Sequence, residues 1–258
     1  MAEIRGFFFD QDGVIVDTER DGHRVAFNRA FKELGFNVDW DVMTYHDLLQ
    51  IGGGKERLKH YLHREGFGAP VSPEDEDETI KRLHKAKTDL FIELIESGAL
   101  PLRPGVRRFM KEVKERGLIL GICTTSDERA ASAIATRMLA DVRIDFVLAG
   151  DVVSRKKPDP EIYHLALKRS GLRPEECVVI EDSRNGVEAA KAAGLYVVVT
   201  TNPYTEKEDL SRADLVLTCL GDPDGEKGKL RQTAKLSFDG VLHVQQVMEY
   251  FGHMKSMA

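Results

Sequence analysis

The chain has 258 residues, 42% hydrophobic and 31% charged, which is ordinary for a globular protein of one large domain or of a core with a smaller domain. Its net charge of −6 lacks the basic balance that nucleic acid or an anionic membrane would attract, so we expect neither partner. The three cysteines are scattered, and no apolar run approaches the ~18 residues of a membrane span, which excludes a disulfide framework and a membrane-spanning helix.

The first predicted elements are a buried strand and a series of helices. Residues 4–10 (IRGFFFD) form a short apolar run closed by turn residues, which is typical of a strand buried on both faces. Apolar residues at helical spacing predict a helix over 18–34 that stops at Gly35. Further helices are predicted over 40–50, 54–65 and 75–96.

From Leu100 onwards, strands and helices alternate. Strands are predicted at 118–124, 145–150, 177–181, 196–200 and 214–220. Helices are predicted from the LRPG turn to Arg116 and at 127–139, 159–170 and 185–193, then a loop at 223–238 and a closing helix at 239–255. Alternation with continuous apolar strands predicts an α/β fold, a Rossmann-like parallel sheet covered on both faces. We therefore assign 1–15 and 98–258 to the α/β core, and 16–97 to an inserted all-helical cap domain.

Polar side chains follow the predicted strands at their carboxyl ends, where an open parallel sheet binds its ligands. In chain order these residues are Asp10 and Asp12, then Thr124, Thr125 and Ser126, then Asp151, Lys156 and Lys157, and finally Glu181 and Asp182. Each one alone is more simply explained as a turn or capping residue. Together, so many carboxylates at one edge repel one another unless a cation lies among them. The set predicts a site for Mg²⁺ and an anion such as phosphate.

Four of these stretches resemble the motifs of the haloacid dehalogenase-like phosphatases: DQDGV at 10–14, Thr124 after a strand, Lys157 in KKPDP, and EDSRNG at 181–186. The helical insertion resembles the small-cap subclass of that superfamily, which includes β-phosphoglucomutase and many sugar-phosphate phosphatases. Other stretches, among them LLQIGGGKERL (48–58) and LHKAKTDLF (83–91), are similar to the CbbY-type phosphatases, particularly the plant ones. Those enzymes act on xylulose 1,5-bisphosphate, an inhibitor that forms on Rubisco.

The resemblance implies a role for each core residue. Asp10 would be the nucleophile that attacks phosphorus and forms an aspartyl phosphate. Asp12 would protonate the leaving oxygen and then take a proton from the attacking water. Asp10 and Asp182 would hold Mg²⁺ with their carboxylates and Asp12 with its backbone carbonyl, while Glu181 would reach the ion through a water or support its ligands without touching it. The phosphoryl oxygens would be held by Thr124 and Lys157.

The same resemblance implies that the cap sets specificity. Lys55 and Lys87 align with cap positions that hold the remote phosphate in β-phosphoglucomutase, and a bisphosphate substrate would need such a second anion site. Each lysine could instead be an ordinary solvated helix residue. His23 is expected to enter the site from the first cap helix, and Thr125 and Ser126 are expected to bind substrate.

The function expected from the sequence is that of an Mg²⁺-dependent sugar-phosphate phosphatase, with xylulose 1,5-bisphosphate as the substrate. A β-phosphoglucomutase-like phosphotransferase and a phosphatase of another sugar phosphate remain alternatives. A phospho-receiver signalling domain also places Asp, Thr and Lys at strand ends, but it lacks the second acid Asp12, the late Glu181–Asp182 pair and a cap. We further expect a monomer whose partner is a small phosphorylated sugar, in the cytoplasm, or in the plastid stroma if the chain is a mature plant-type form.

Overall fold

The computed structural model describes residues 3–232 and 236–254. Six strands form one sheet in the order β3-β2-β1-β4-β5-β6, and every pairing is parallel. The strands are β1 (Gly6–Phe9), β2 (Ile119–Cys123), β3 (Phe146–Leu148), β4 (Cys177–Glu181), β5 (Tyr196–Thr200) and β6 (Leu215–Leu217). The predicted α/β class is confirmed.

The helices fall into two groups along the chain. Between β1 and β2 lie α1 (Arg24–Glu33), α2 (Val42–Leu48), α3 (Gly54–Glu65) and α4 (Glu76–Glu96), followed by α5 (Val106–Glu115). The rest are α6 (Glu128–Ala133), α7 (Glu161–Ser170), α8 (Arg184–Ala192) and α9 (Val244–Met254). A π-helical turn, Glu19–His23, leads into α1, and a second one, Ile134–Met138, extends α6. No helix in the described part of the chain is both long and apolar enough to cross a bilayer.

The three phenylalanines of β1 alternate between the two faces of the sheet, as strand geometry requires. Phe7 and Phe9 contact Phe109 of α5, with ring centroids 5.4 and 6.1 Å apart. Phe8 belongs to the cluster on the other face, which α7 and α8 cover. Since both faces are buried, the strand reads as a continuous apolar run.

The order of the strands places a crevice at the carboxyl ends of β1 and β4. The chain runs outward from β1 to β2 and β3 on one side, and from β4 to β5 and β6 on the other. Ligands bind at such a switch point because the connections on its two sides leave in opposite directions. The residues that follow β1 and β4 therefore face one another across this crevice.

Two connections join the cap helices to the core, and they run side by side. Val16 forms an antiparallel bridge with Leu102, and the Arg103 amide donates to the Ile15 carbonyl at 2.9 Å. The Arg103 side chain is buried and donates to the carbonyls of Gly13 and of residues Thr200, Thr201 and Thr218. This buried arginine therefore fixes the two connections, which we call the hinge, to the core. We propose 16–97 as the bounds of the cap.

The prediction of a closing helix over 239–255 is wrong at its start, because α9 begins at Val244. Gly240 has φ +99°, which a right-handed helix cannot contain. The Glu112 carboxylate accepts from the Val244 amide at 3.0 Å and so satisfies a free amide of the first turn. Residue 255, and residues 233–235 of the predicted loop, lie outside the described residues.

Candidate active site

Three carboxylates meet where β1 and β4 end. Asp10 extends β1 by one residue, and its amide donates to the Ile180 carbonyl at 2.9 Å. Glu181 closes β4, and Asp182 follows it. One oxygen from each of Asp10, Glu181 and Asp182 lies within 4.8 Å of the others, and all three residues are buried.

Lys157 joins two of these carboxylates. Its ammonium group donates to Asp10 Oδ1 at 2.6 Å, to Glu181 Oε1 at 2.5 Å and to the Cys123 carbonyl at 3.1 Å. Tyr163 donates to the same Glu181 oxygen. Burial opposes the charge of the lysine, but the two carboxylates raise the pKa of Lys157 above its usual value, so it remains a cation.

One lysine does not neutralise three buried carboxylates. Burial, together with the charges of Glu181 and Asp12, raises the pKa of Asp10 to about 8 despite the opposing effect of Lys157. Burial, then the charges of Asp10 and Glu181, raise the pKa of Asp182 well above its ordinary value. A divalent cation would remove this repulsion. Oxygen donors from closely spaced carboxylates are the ligands that Mg²⁺ prefers, so the residues present fit that ion.

Asp12 occupies a different environment. Its carboxylate accepts hydrogen bonds from Thr18 at 2.5 Å and from Ser126, and its Oδ1 lies 2.9 Å from His23 Nε2. Burial opposes ionisation, but His23 and the two hydroxyls outweigh it and hold the pKa of Asp12 below its usual range. The two aspartates of the DQD stretch therefore differ in protonation. Asp10 lies beside the lysine, and Asp12 lies beside a histidine from the cap.

The turn after Asp12 depends on a glycine. Gly13 has φ +80°, and a Cβ there would lie 2.2 Å from Asp182 Oδ2 and 2.7 Å from Asn202 Nδ2. Asn202 in turn donates to that Asp182 oxygen at 2.7 Å. A side chain at position 13 would displace the aspartate from the other carboxylates.

Hydroxyl groups follow β2 on the opposite side of the crevice. The Thr124 amide donates to the Leu148 carbonyl at 2.9 Å, and Thr124 Oγ1 accepts from the Ser126 amide at 3.1 Å. Together with Thr125, these residues line the same cleft as Asp10 and Lys157. The structure thus brings the predicted strand-end residues together in one cleft, except Asp151 and Lys156, which line a neighbouring pocket instead.

The cap forms the other wall of this cleft, which holds about 940 Å³, its open mouth included. The cap residues that line it are Glu19, His23, Leu49, Gly52, Gly53, Gly54, Arg57, His84 and Lys87. Lys87 is buried with its ammonium group 5.0 Å from the Phe27 ring and 5.3 Å from the Phe91 ring. No hydrogen bond or ion pair of Lys87 is found among the described residues, and burial lowers its pKa to about 8.

Lys55 lies outside the cleft. Its ammonium group donates to Asp151 Oδ2 at 2.6 Å, and it lines a neighbouring pocket between the cap and the α6 region. The sequence placed Lys55 and Lys87 together as a remote-phosphate pair. The structure brings only Lys87 into the cleft with Asp10.

Sequence reasoning missed several residues of the cap wall. Arg57 donates to Tyr45 Oη at 3.1 Å and to the carbonyls of Leu48 and Ile51, and Tyr45 donates to Glu19 at 2.6 Å. His84 is buried, and burial together with nearby Lys87 lowers its pKa to about 4, so it is neutral at pH 7. One feature of the sequence could have indicated Arg57: it precedes the apolar Leu58, which lies on the buried face of α3.

Comparison with known proteins identifies the family. The sequence pattern of the haloacid dehalogenase-like hydrolases matches residues 4–194. A CBBY-like protein of Arabidopsis thaliana is 49% identical over 223 residues, which is 85% of this chain and 70% of the relative. Protein CbbY of Cereibacter sphaeroides is 38% identical over 229 residues, 87% of this chain and 96% of the relative.

Solved structures show the same similarity to CbbY proteins. The crystal structure of CbbY from Rhodobacter sphaeroides in complex with phosphate has a TM-score of 0.77 and 37% identity, and covers 84% of this chain and 94% of that one. A variant of that protein in complex with xylulose 1,5-bisphosphate gives the same TM-score, identity and coverage. The chain belongs to the haloacid dehalogenase-like hydrolases, and within them it is a phosphatase.

Proposed function

We propose that this member of the haloacid dehalogenase-like hydrolases is an Mg²⁺-dependent phosphatase of sugar bisphosphates, with xylulose 1,5-bisphosphate as its substrate. Its relatives support this choice, since the similar CbbY structure holds that compound. The cleft supports it independently, because both of its walls carry cationic side chains.

The distribution of positive charge in the cleft carries the proposal. On the core wall, Lys157 is held by the carboxylates of Asp10 and Glu181. On the cap wall, Lys87 and Arg57 form no ion pair with any carboxylate among the described residues. Buried cations without counterions are costly unless an anion binds beside them. A substrate with a second phosphate supplies that anion.

The core residues account for transfer of the first phosphate. Asp10 attacks phosphorus, the bond to the sugar oxygen breaks, and the phosphoryl group is carried as an aspartyl phosphate. Lys157 and Thr124 bind the phosphoryl oxygens and stabilise the charge that develops on them. Asp10, Asp182 and the Asp12 carbonyl would hold Mg²⁺, with Glu181 behind them, and the bound ion supplies Lewis-acid stabilisation of the same oxygens.

Asp12 provides the proton transfers. The leaving sugar oxygen takes a proton from Asp12, and the ionised Asp12 then accepts one from the water that attacks the aspartyl phosphate. In the substrate-free protein the pKa of Asp12 is held low, with burial opposed by His23 and by hydrogen bonds from Ser126 and Thr18. A bound phosphate dianion adds negative charge beside this carboxyl group and so favours its protonated form. Asp12 is therefore ionised, and able to act as a base, in the substrate-free protein. Substrate binding favours its protonated form, which can act as the acid.

A substrate panel tests the proposal. Phosphate release is measured with Mg²⁺ on xylulose 1,5-bisphosphate, ribulose 1,5-bisphosphate, phosphoglycolate and the two glucose phosphates, with a chelator control. We expect the highest kcat/KM on xylulose 1,5-bisphosphate and no turnover in excess chelator. Higher kcat/KM on a monophosphate would refute the bisphosphate assignment. Conversion of β-glucose 1-phosphate into glucose 6-phosphate would identify a phosphotransferase instead.

A further inference from the structure

The cap loop before α3 lies directly on the core segment that carries Lys157. A Cβ built on Gly52 would lie 2.7 Å from the Lys157 carbonyl oxygen and 3.4 Å from Lys156 Cβ. Only a residue without a side chain allows such an approach. The position of this loop and the position of the Lys157 backbone are therefore coupled by direct contact.

Asp151 makes a second connection between the same two segments. Its carboxylate accepts from Lys55 of the cap at 2.6 Å, and its other oxygen lies 3.1 Å from Lys156 Nζ. Lys156 also donates to the Gly150 carbonyl, which closes the loop on itself. Hydrogen bonds from both lysines lower the pKa of Asp151 to about 2, so the carboxylate is charged at any working pH.

We propose that Asp151 is a positioning residue for phosphoryl transfer. It holds the cap through Lys55 and the core segment through Lys156, and so places the Lys157 ammonium group between Asp10 and Glu181. The proposal rests on the function given above, in which Lys157 binds the transferred phosphoryl group. It assigns Lys55 to cap attachment rather than to contact with the remote phosphate.

The stabilising energy of the Lys55–Asp151 ion pair is not what we expect to affect the reaction. The Lys55 and Asp151 side chains are 41% and 69% exposed, and exposed pairs contribute little to stability. The effect acts through geometry, because a small displacement of a phosphoryl-binding group reduces the rate at every turnover. The loss should therefore fall on kcat, and it should not depend on whether the substrate carries a second phosphate.

Kinetics of single and double variants test this. Asp151→Asn and Lys55→Met should each lower kcat about fivefold, on the bisphosphate and on p-nitrophenyl phosphate alike, with KM changed less than about twofold. The double variant should lose no more than Asp151→Asn alone, because that substitution already breaks the contact with Lys55. Asp151→Glu and Lys55→Arg keep the charges and should recover most of the activity. Glu96 and Arg137 form another exposed pair between cap and core, with 3.6 Å between their charged atoms, and neither contacts Lys157. Glu96→Gln and Arg137→Met should therefore leave kcat unchanged.

Two results would overturn the proposal. One is an Asp151→Asn enzyme with wild-type kcat. The other is a Lys55→Met loss confined to the bisphosphate, which would return Lys55 to the remote phosphate.

A cross-link provides a readout that does not need activity. Carbodiimide treatment of the wild-type protein should join Lys55 to Asp151, detected as a linked peptide by mass spectrometry and absent in Lys55→Met. A protein that shows this link but hydrolyses no phosphate ester would retain the contact and refute the proposed function. A protein that hydrolyses phosphate esters without forming the link would refute the contact.

Discussion

At the scale of a single residue, the proposed mechanism makes two demands on Asp10: it would have to be ionised to attack phosphorus, yet it lies buried beside two other carboxylates. Lys157 meets this demand in part, and the pKa of Asp10 still rises to about 8 because burial outweighs the lysine. A bound cation would supply the remaining stabilisation. In the proposed mechanism, binding of the cation would therefore also favour the ionised, nucleophilic form of Asp10.

The nucleophile assignment predicts the behaviour of Asp10→Asn. The amide has nearly the same shape but is a very poor nucleophile, so we expect turnover to fall by a factor of at least about 10³. The melting temperature should stay the same or rise, because one of three repelling carboxylates has been removed. Steady-state kinetics and thermal unfolding measure the two effects. Activity within tenfold of wild type would exclude Asp10 as the nucleophile.

The raised pKa of Asp10 predicts how stability depends on pH without metal. Since the folded pKa of about 8 exceeds the ordinary 3.8, the folded protein holds a proton that the unfolded chain releases. The contribution of Asp10 to the free energy of unfolding should therefore fall as pH rises from about 4 to about 8, whereas His84, with its pKa lowered to about 4, acts in the opposite direction in the lower part of this range. Lys157 does not contribute in this window, because its raised pKa lies above it.

Thermal unfolding with chelator and with Mg²⁺, at about pH 5 and about pH 8, measures this effect. Because the metal competes with protons for the carboxylates, stabilisation by Mg²⁺ should be larger at the higher pH. Equal stabilisation at both values would contradict the assignment of Asp10 as a ligand. Asp10→Asn should make the pH dependence seen in chelator less steep, with Asp182, whose pKa is also raised, still contributing.

Lys87 carries the bisphosphate claim. Lys87→Met should lower kcat/KM for the bisphosphate about ten- to hundredfold, since a charge-assisted contact contributes roughly 1.5–3 kcal/mol. Activity on p-nitrophenyl phosphate, which has no second phosphate, should change little. Lys85→Met is the matched control, because Lys85 lies on the same helix but is exposed and paired with Asp89. Equal losses on both substrates would assign Lys87 to the fold or to the core site.

The sequence identified the core residues because chain position alone nearly determines where they lie. Any polar residue that directly follows a strand of a parallel sheet lies at the carboxyl edge of that sheet. A helical residue is different, because its direction depends on how the helix packs. Lys55 and Arg57 are two positions apart on α3 and so point to nearly opposite sides of the helix, about 160° apart. Only tertiary packing shows that Arg57, and not Lys55, faces the cleft.

At the scale of elements, the hinge is held by Arg103, whose guanidinium group supplies hydrogen bonds to four backbone carbonyls. Arg103→Met would leave these buried acceptors without a donor. We expect the free energy of unfolding to fall by about 2–4 kcal/mol. Denaturant unfolding measures this, with Arg116→Met as the control, since Arg116 bonds Gln245 at an exposed position. Equal stability of the two variants would contradict a structural role for the hinge arginine.

The predicted strands and helices agree best with the structure where the sequence pattern of a segment and its packing favour the same element. The runs 177–181 and 196–200 match β4 and β5 residue for residue. The start of the closing helix was predicted too early. Gly240 has a positive φ that excludes it from the helix, and the first turn is capped by Glu112, a residue on another helix. A contact between residues so far apart in sequence leaves no periodic signal in the segment itself.

At the scale of the whole molecule, reaction and recognition are divided between two walls. The sheet edge supplies Asp10, Lys157 and the other carboxylates, to which we assign the reaction, while the cap supplies His23, Arg57 and Lys87. Because the site is complete only between these walls, substrates that engage both should be turned over fastest. Remote binding energy then aligns the reacting phosphoryl group against Asp10.

A competition experiment tests this account most directly. Equal concentrations of xylulose 1,5-bisphosphate, ribulose 1,5-bisphosphate, phosphoglycolate and β-glucose 1-phosphate are mixed with the enzyme and Mg²⁺, and all phosphorus signals are followed together by ³¹P NMR. Relative rates in one tube report the ratios of kcat/KM. The account predicts that xylulose 1,5-bisphosphate disappears first, by a factor of at least about ten, and yields one inorganic phosphate and one pentulose monophosphate. Earlier loss of phosphoglycolate, or the appearance of glucose 6-phosphate, would contradict it.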